Sequence, residues 1–190
     1  TAWAAPMRTT SDEWDWYLAD RRAKRFTLVQ VAPAPQWAGR NNRKGEVPFH
    51  DQALLRSNPA FWQEFERRIQ RANEEGLVVM LVGLMEPVSR YPSSAAARLF
   101  ARNIVARLFG NFVVFSPSFD SNYTPLADEV GHATRDATAV HLITQHPGTP
   151  SGKLIPTACT STIRSPSGSG RSRIWTPSGP MSSVTTAARM

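Results

Sequence analysis

Two periods alternate along this chain. Apolar residues three and four positions apart mark amphipathic helices, and continuous apolar runs between them mark buried strands. Thr10 opens the first helix, with Glu13 completing a capping box and Trp14, Tyr17 and Leu18 forming an apolar stripe. Arg21, Arg22, Lys24 and Arg25 load its far end, as the helix dipole favours. The run Phe26–Ala32 predicts a strand that stops at Pro33. Asn58-Pro59 predicts a second helix start; Phe61, Phe65, Ile69 and Ala72 recur at helical spacing before Gly76. Leu77–Leu84 predicts the next strand, leaving through Met85-Glu86-Pro87. Ser93 or Ser94 caps a third helix, with Phe100, Ile104 and Leu108 inward. The stretch Phe112–Asp120 reads as a strand apolar on both faces that breaks at Ser116-Pro117 and delivers a carboxylate. Thr124-Pro125 opens a fourth helix carrying Leu126, Val130, Ala133 and Ala137, and Val140–Gln145 predicts a last strand before His146-Pro147-Gly148.

With Thr1-Ala2-Trp3 read as the end of one more strand, the order is (β)αβαβαβαβ. Such alternation implies right-handed crossovers and a parallel sheet. No G-x-G-x-x-G follows a strand and no G-x-x-x-x-G-K-[ST] is present, which argues against a nucleotide-binding sheet. Polar or aromatic residues stand at the expected strand exits: Trp3, Gln30, Glu86, Asp120, Gln145 and His146. The fold expected is α/β, an incomplete (β/α)8 TIM barrel of about five βα units, in which chemistry sits past the carboxyl ends of the strands. The long segment Ala34–Ser57, with Trp37, Asn41, Asn42 and Phe49, is expected to serve function rather than packing.

After Pro150 the periodicity stops. Residues 151–190 are rich in Ser, Thr, Pro, Gly and Arg, which reads either as a disordered basic tail or as a stretch out of frame. The second reading is preferred, because a barrel breaks off where three more units are due. The domain division expected is therefore 1–150 and 151–190. The chain opens at Thr1 with no initiator Met, from which a start further upstream is expected.

The formal charge of +7 suggests nucleic acid until it is mapped. Residues 1–150 hold 17 Lys and Arg against all 15 acids, a net of +2; residues 151–190 hold Lys153, Arg164, Arg171, Arg173 and Arg189, a net of +5. A nucleic-acid binder using that tail is the weakest functional reading, since the body carries no basic stripe. No run reaches the roughly 18 apolar residues needed to span a bilayer, no signal peptide is visible, and the compartment is left unassigned. Cys159 alone excludes an internal disulfide or a multi-cysteine metal site. His141 and His146 point to opposite strand faces, and His50 and His132 lack ligand-spaced neighbours, so no metal or cofactor is expected.

Thr1-Ala2-Trp3, Tyr17-Leu18-Ala19-Asp20-Arg21, the Phe26–Gln30 strand, Gly45 with Pro48-Phe49, Asn58-Pro59-Ala60-Phe61, Gly76-Leu77-Val78-Val79, Asp120 and Gln145-His146-Pro147-Gly148 together resemble the apiosidase-like glycoside hydrolases. The resemblance rests on order and spacing over about residues 1–150. It implies a (β/α)8 barrel that cleaves glycosidic bonds in plant or bacterial polysaccharide, with Asp120 matching the general acid/base after strand four. Where the family usually has two glycines before that Asp, this chain has Ser118-Phe119. The family's late-barrel Glu nucleophile has no counterpart, because residues 151–190 contain no Asp or Glu. Asp120 also has an ordinary reading, as a turn or capping residue. Glu86 is a candidate substitute partner, although a rim residue before Pro87 is the plainer reading. Trp3 and Trp37 suit sugar stacking; Asn41, Gln145 and His146 suit hydroxyl binding, with turn or packing roles equally open. Two readings remain: an impaired glycosidase, or a non-catalytic sugar-binding barrel fragment. A partial barrel also exposes strand edges, from which self-association is expected.

Overall fold

A computed structural model describes residues 3–33, 41–51, 56–84, 93–118 and 125–144. The elements are α1 (Ala5–Arg8), α2 (Ser11–Ala23), β1 (Leu28–Val31), α3 (Pro59–Glu74), β2 (Val78–Leu81), α4 (Ser94–Leu108), β3 (Val113–Phe115), α5 (Pro125–Ala137) and β4 (Leu142–Ile143). The four strands form one parallel sheet in the order β1-β2-β3-β4, with Leu28 opposite Val78, Val79 opposite Val113 and Val114 opposite Leu142. Each crossover runs through a helix, as the alternating periods require.

Helix starts follow their caps. Thr10 Oγ1 accepts the Glu13 amide at 3.1 Å while the Thr10 amide donates to Glu13 Oε2 at 2.7 Å. Asn58 Oδ1 accepts from the Ala60 amide and Ser93 Oγ from the Ala96 amide. Helix ends are equally specific. Past α3, the Gly76 amide donates to Asn73 O and the Leu77 amide to Ala72 O, with Gly76 at φ +78°. The end of α2 repeats this pattern, the Arg25 amide to Arg22 O and the Phe26 amide to Arg21 O, with Arg25 at φ +59°. Both are Schellman ends, but the second puts a Cβ in the left-handed region that glycine occupies freely.

One sheet face is dry. Val29, Val31, Val79, Leu81, Val113, Phe115 and Ile143 form a single cluster with Trp14, Leu18, Phe65, Ile69, Phe100, Ile104 and Val130 from the helices. Each large side chain so buried contributes on the order of 1.5–3 kcal/mol. The other face carries Leu28, Gln30, Val78, Met80 and Val114, all half-buried, and Leu142, which is exposed. In a closed barrel this face would line the interior; the described strands supply one wall of it.

Three expectations are corrected. Gln30 lies inside β1, on the half-buried face, where Nε2 donates to Met80 Sδ at 3.4 Å, rather than at a strand exit. Phe112 precedes β3 and is 73% exposed, because its amide is held by Asn73 Oδ1 at the sheet's lower edge, where no described element covers its ring. The terminal strand is not among the described strands: Trp3 lies in a turn leading to α1, with Thr1 and Ala2 outside the described residues. Residues 151–190 also lie outside them.

A buried arginine ties the α1–α2 turn to α3. Arg68, 8% exposed, donates to Thr10 O at 2.8 Å, Thr9 O at 3.2 Å and Glu64 Oε1 at 2.9 Å. Trp14 Nε1 returns a bond to Arg68 O at 3.1 Å. Burial alone would push the Glu64 carboxyl up, but hydrogen bonds from Arg67 and Arg68 outweigh it and hold the group below its ordinary value of 4.5. A lowered folded pKa means stability that is present above 4.5 and lost as pH falls through the folded value.

Two outcomes are expected in urea unfolding. Arg25→Gly raises stability by about 1 kcal/mol, since glycine occupies the left-handed region without penalty. Glu64→Gln lowers it by roughly 2 kcal/mol at pH 7, and the gap to the parent chain narrows as the pH falls below 4.5.

Candidate active site

The carboxyl ends of β1, β2 and β3 differ from the strands that lead to them. Within the strands burial alternates, whereas Ala32 and Pro33, Val82 to Leu84, and Ser116 to Ser118 are buried without interruption. The ladder continues into this rim. The Val82 amide donates to Val31 O at 2.9 Å, the Ser116 amide to Leu81 O at 2.7 Å, and the Thr144 amide to Phe115 O at 2.8 Å. Beyond Ser116 the pattern becomes irregular. The Leu84 amide reaches Ser116 O and the Gly83 amide reaches Ser118 O, both at 3.2 Å. Gly83 adopts φ +69°, which lets consecutive amides aim at carbonyls two residues apart. Ser116 Oγ also donates to Ser118 O at 2.9 Å, so that carbonyl is held from two sides. Pro117 turns toward α5, and a Cβ built on Gly131 would stand 3.3 Å from its Cγ. Glycine at 131 thus lets the helix close on the β3 exit.

The described segments that end ahead of the two candidate carboxylates, Gly83-Leu84 before Glu86 and Ser116–Ser118 before Asp120, are therefore stitched to one another, Leu84 to Ser116 and Gly83 to Ser118. Glu86 and Asp120 themselves, with Trp37, Gln145 and His146, lie outside the described residues. Trp3 is half-buried beside the β1 exit, where its carbonyl accepts the Ala32 amide at 2.8 Å. Asn41 is exposed, at the head of a tight turn. Its neighbour Asn42 is 3% exposed and serves that turn: Oδ1 accepts the amides of Lys44 and Glu46, each at 2.9 Å.

The segment after β1 was expected to be functional, and its described part is largely structural. Glu46 Oε2 accepts from Asn58 Nδ2 at 2.7 Å, and Pro48 O accepts from Trp62 Nε1 at 2.9 Å. Phe49 packs edge-on to Trp62, with centroids 5.9 Å apart, and against Phe100. A cleft of about 380 Å³ opens between α1, the Asn42 turn and α3. Arg68 borders it, but its donors are taken by Thr9, Thr10 and Glu64, so the cleft offers no free cation from that side chain.

Sequence reasoning missed Arg68 and the Gly83–Ser118 clasp. The only signal for the clasp was a pair of small hydroxyl residues flanking a proline directly after an apolar run. His141 has a structural setting, with Nδ1 2.8 Å from Thr138 Oγ1 and edge-on packing against Phe109 and Phe115. No cluster of three or more His, Cys, Asp or Glu residues able to hold a metal occurs among the described residues. No helix among them is long and apolar enough to cross a membrane.

Comparison with known proteins supplies the deciding observation. A family model described as the apiosidase-like catalytic domain matches residues 1–165. The chain belongs to the apiosidase-like family. Its fold agrees with that assignment. One similar solved structure, described as a glycoside hydrolase, matches with a TM-score of 0.67 at 19% identity over 77% of this chain and 35% of the other. Another, a glycoside hydrolase family 5 protein from Bacteroides vulgatus, matches with a TM-score of 0.66 at 22% identity over 77% of this chain and 34% of the other. This apiosidase-like domain thus spans about a third of the length of those structures. A search of curated proteins finds no match.

Gly83→Ala is expected to destabilise the domain by about 1–2 kcal/mol, because a Cβ is strained at that φ and the amide bond to Ser118 is disturbed. Thermal unfolding of the variant beside the parent chain measures this.

Proposed function

We propose that this glycoside hydrolase-like domain takes part in cleaving glycosidic bonds of plant or bacterial polysaccharide, with Asp120 as general acid/base. What supports the reading is family membership over residues 1–165, together with a buried, doubly held β3 exit directly upstream of Asp120.

The chemistry sets the requirements. One carboxyl group must protonate the departing glycosidic oxygen as the C–O bond breaks. A second must attack the anomeric carbon, or activate water against it, with about 5–5.5 Å between the two for retention and 6.5–9.5 Å for inversion. Asp120 supplies the first. Glu86 is the candidate for the second within residues 1–150, because its stem is hydrogen-bonded to that of Asp120 through Leu84 and Gly83. Trp3 and Trp37 would stack on sugar faces, and Asn41, Gln145 and His146 would bind hydroxyls. Without an Asp or Glu in residues 151–190, turnover by this chain alone is impaired.

One fact favours a second reading, binding without catalysis: residues 151–190 supply no carboxylate to match the late-barrel Glu of the family. Oligosaccharide binding by calorimetry with no product formed would support it. Self-association belongs with either reading, since on β4, the outer strand of the sheet among the described residues, Leu142 is 69% exposed and Val140 beside it 74%.

The test is hydrolysis of pectic oligosaccharides and of aryl glycosides by the parent chain and Asp120→Asn. The variant is expected to lose about 10²–10⁴-fold on oligosaccharides, whose leaving oxygen needs a proton. It loses less on aryl glycosides, whose leaving groups depart unprotonated. Equal rates for the two proteins on both substrates would remove Asp120 from catalysis.

A further inference from the structure

Helix α4 is patterned on two sides. Its buried stripe, Ala97, Phe100, Ala101, Ile104 and Leu108, belongs to the core. A second series, Ala95, Leu99, Arg102, Ala106 and Phe109, recurs at steps of four and three residues, and all five are exposed. Leu99 is 39% exposed and Phe109 53%. A repeat of four and three holds one face of a helix toward a neighbour along its whole length, and a helix apolar on more than one face is ordinarily covered on each. With Ala133, Asp136 and Ala137 of α5, this face of α4 lines a groove of about 810 Å³. Helices form the outer ring of a (β/α) barrel, so closing the sheet would leave the groove open.

We propose that this groove is the face through which two copies of the chain associate. Charge complementarity selects the occupant. Arg98, in the same groove, is paired with Glu129 of α5 at 3.1 Å. Arg102 on the α4 wall and Asp136 on the α5 wall have no ion pair or side-chain hydrogen bond among the described residues. An apolar floor that carries one unpaired cation and one unpaired anion is complementary to itself, which is what a two-fold interface requires. The sizes of the side chains agree. About a two-fold axis through the middle of α4, with the two helices antiparallel, Phe109 falls on Ala95 of the second copy and Leu99 on its Ala106. Each Arg102 then turns to the Asp136 of the other copy, and a single charged position in an otherwise apolar seam fixes the register of the pair.

Self-association is thereby moved from the outer strand β4 to a helix face, and nothing in it depends on catalysis. The experiment is analytical ultracentrifugation of the full chain over a range of concentrations. The parent chain is expected to pass from monomer to dimer as concentration rises. Arg102→Glu turns both ion pairs of the homodimer into contacts between two anions, and Asp136→Arg turns them into contacts between two cations. Each variant is expected to raise the dissociation constant at least about tenfold. Mixed in equal amounts, the two variants meet with opposite charges at both contacts, so a heterodimer of roughly the parent's affinity is expected. A variant that had merely failed to fold would not be rescued by the other.

Leu142→Lys separates this face from the strand, since it leaves a dimer built on the groove intact. A parent chain that stays monomeric overturns the proposal, and so does a mixture that associates no more tightly than either variant alone. A dimer indifferent to both charge reversals but lost in Leu142→Lys overturns it as well, and returns association to β4.

Discussion

The sheet is held by one constraint: four parallel strands must present a continuous apolar face to the helices that connect them. Because side chains alternate along a strand, the residues that meet this demand are every second one, Val29 and Val31, Val79 and Leu81, Val113 and Phe115. A slip of one residue in any strand would exchange its dry face for its half-buried one. The hydrophobic term therefore fixes register as well as stability. Everything at the rim inherits its position from that register, including the bonds that join Leu84 to Ser116 and Gly83 to Ser118.

The rim is built by different physics. Apolar packing gives way there to directed bonds among Gly83, Leu84, Ser116 and Ser118 in a buried setting, where each bond discriminates strongly between satisfied and unsatisfied arrangements. The domain is thus stiffened by packing through the strands and by backbone hydrogen bonding where they end. The apiosidase-like assignment and the structural likeness to glycoside hydrolases agree with that division, since barrel enzymes keep their chemistry at the carboxyl ends of strands.

Much of this was legible in the residues. Thr10, Asn58 and Ser93 cap the helices that their sequence signals announce, and Gly76 ends α3 in the left-handed conformation it was expected to supply. These features are local, so a short window contains their whole cause. Phe112 and Gln30 misled because apolar runs show where a strand lies but not where its ladder begins or which face a neighbour covers. Phe49 misled for a different reason. An aromatic in a long connection suits a functional role, yet here it closes on Trp62, a contact made by the fold rather than by adjacent sequence. Arg68 was invisible because three acceptors from distant and near positions converge on it. Trp14 and Trp62 are buried while Trp16 is 72% exposed, as their places on and off the apolar stripes dictate.

Asn73 gives this arrangement a datum. From the last turn of α3 its amide nitrogen donates to Leu77 O and Phe112 O, and its Oδ1 accepts the Phe112 amide, so the starts of β2 and β3 are clamped to one helix. From that fixed origin each residue advances the chain by about 3.3 Å and reverses its facing. The distance from Phe112 to the β3 exit then acts as a measured length. An insertion or deletion of a single residue within it would displace the Ser116 and Ser118 carbonyls by one step from the Gly83 and Leu84 amides that hold them. Substitutions along β3 need only preserve its alternation, but its length admits no drift.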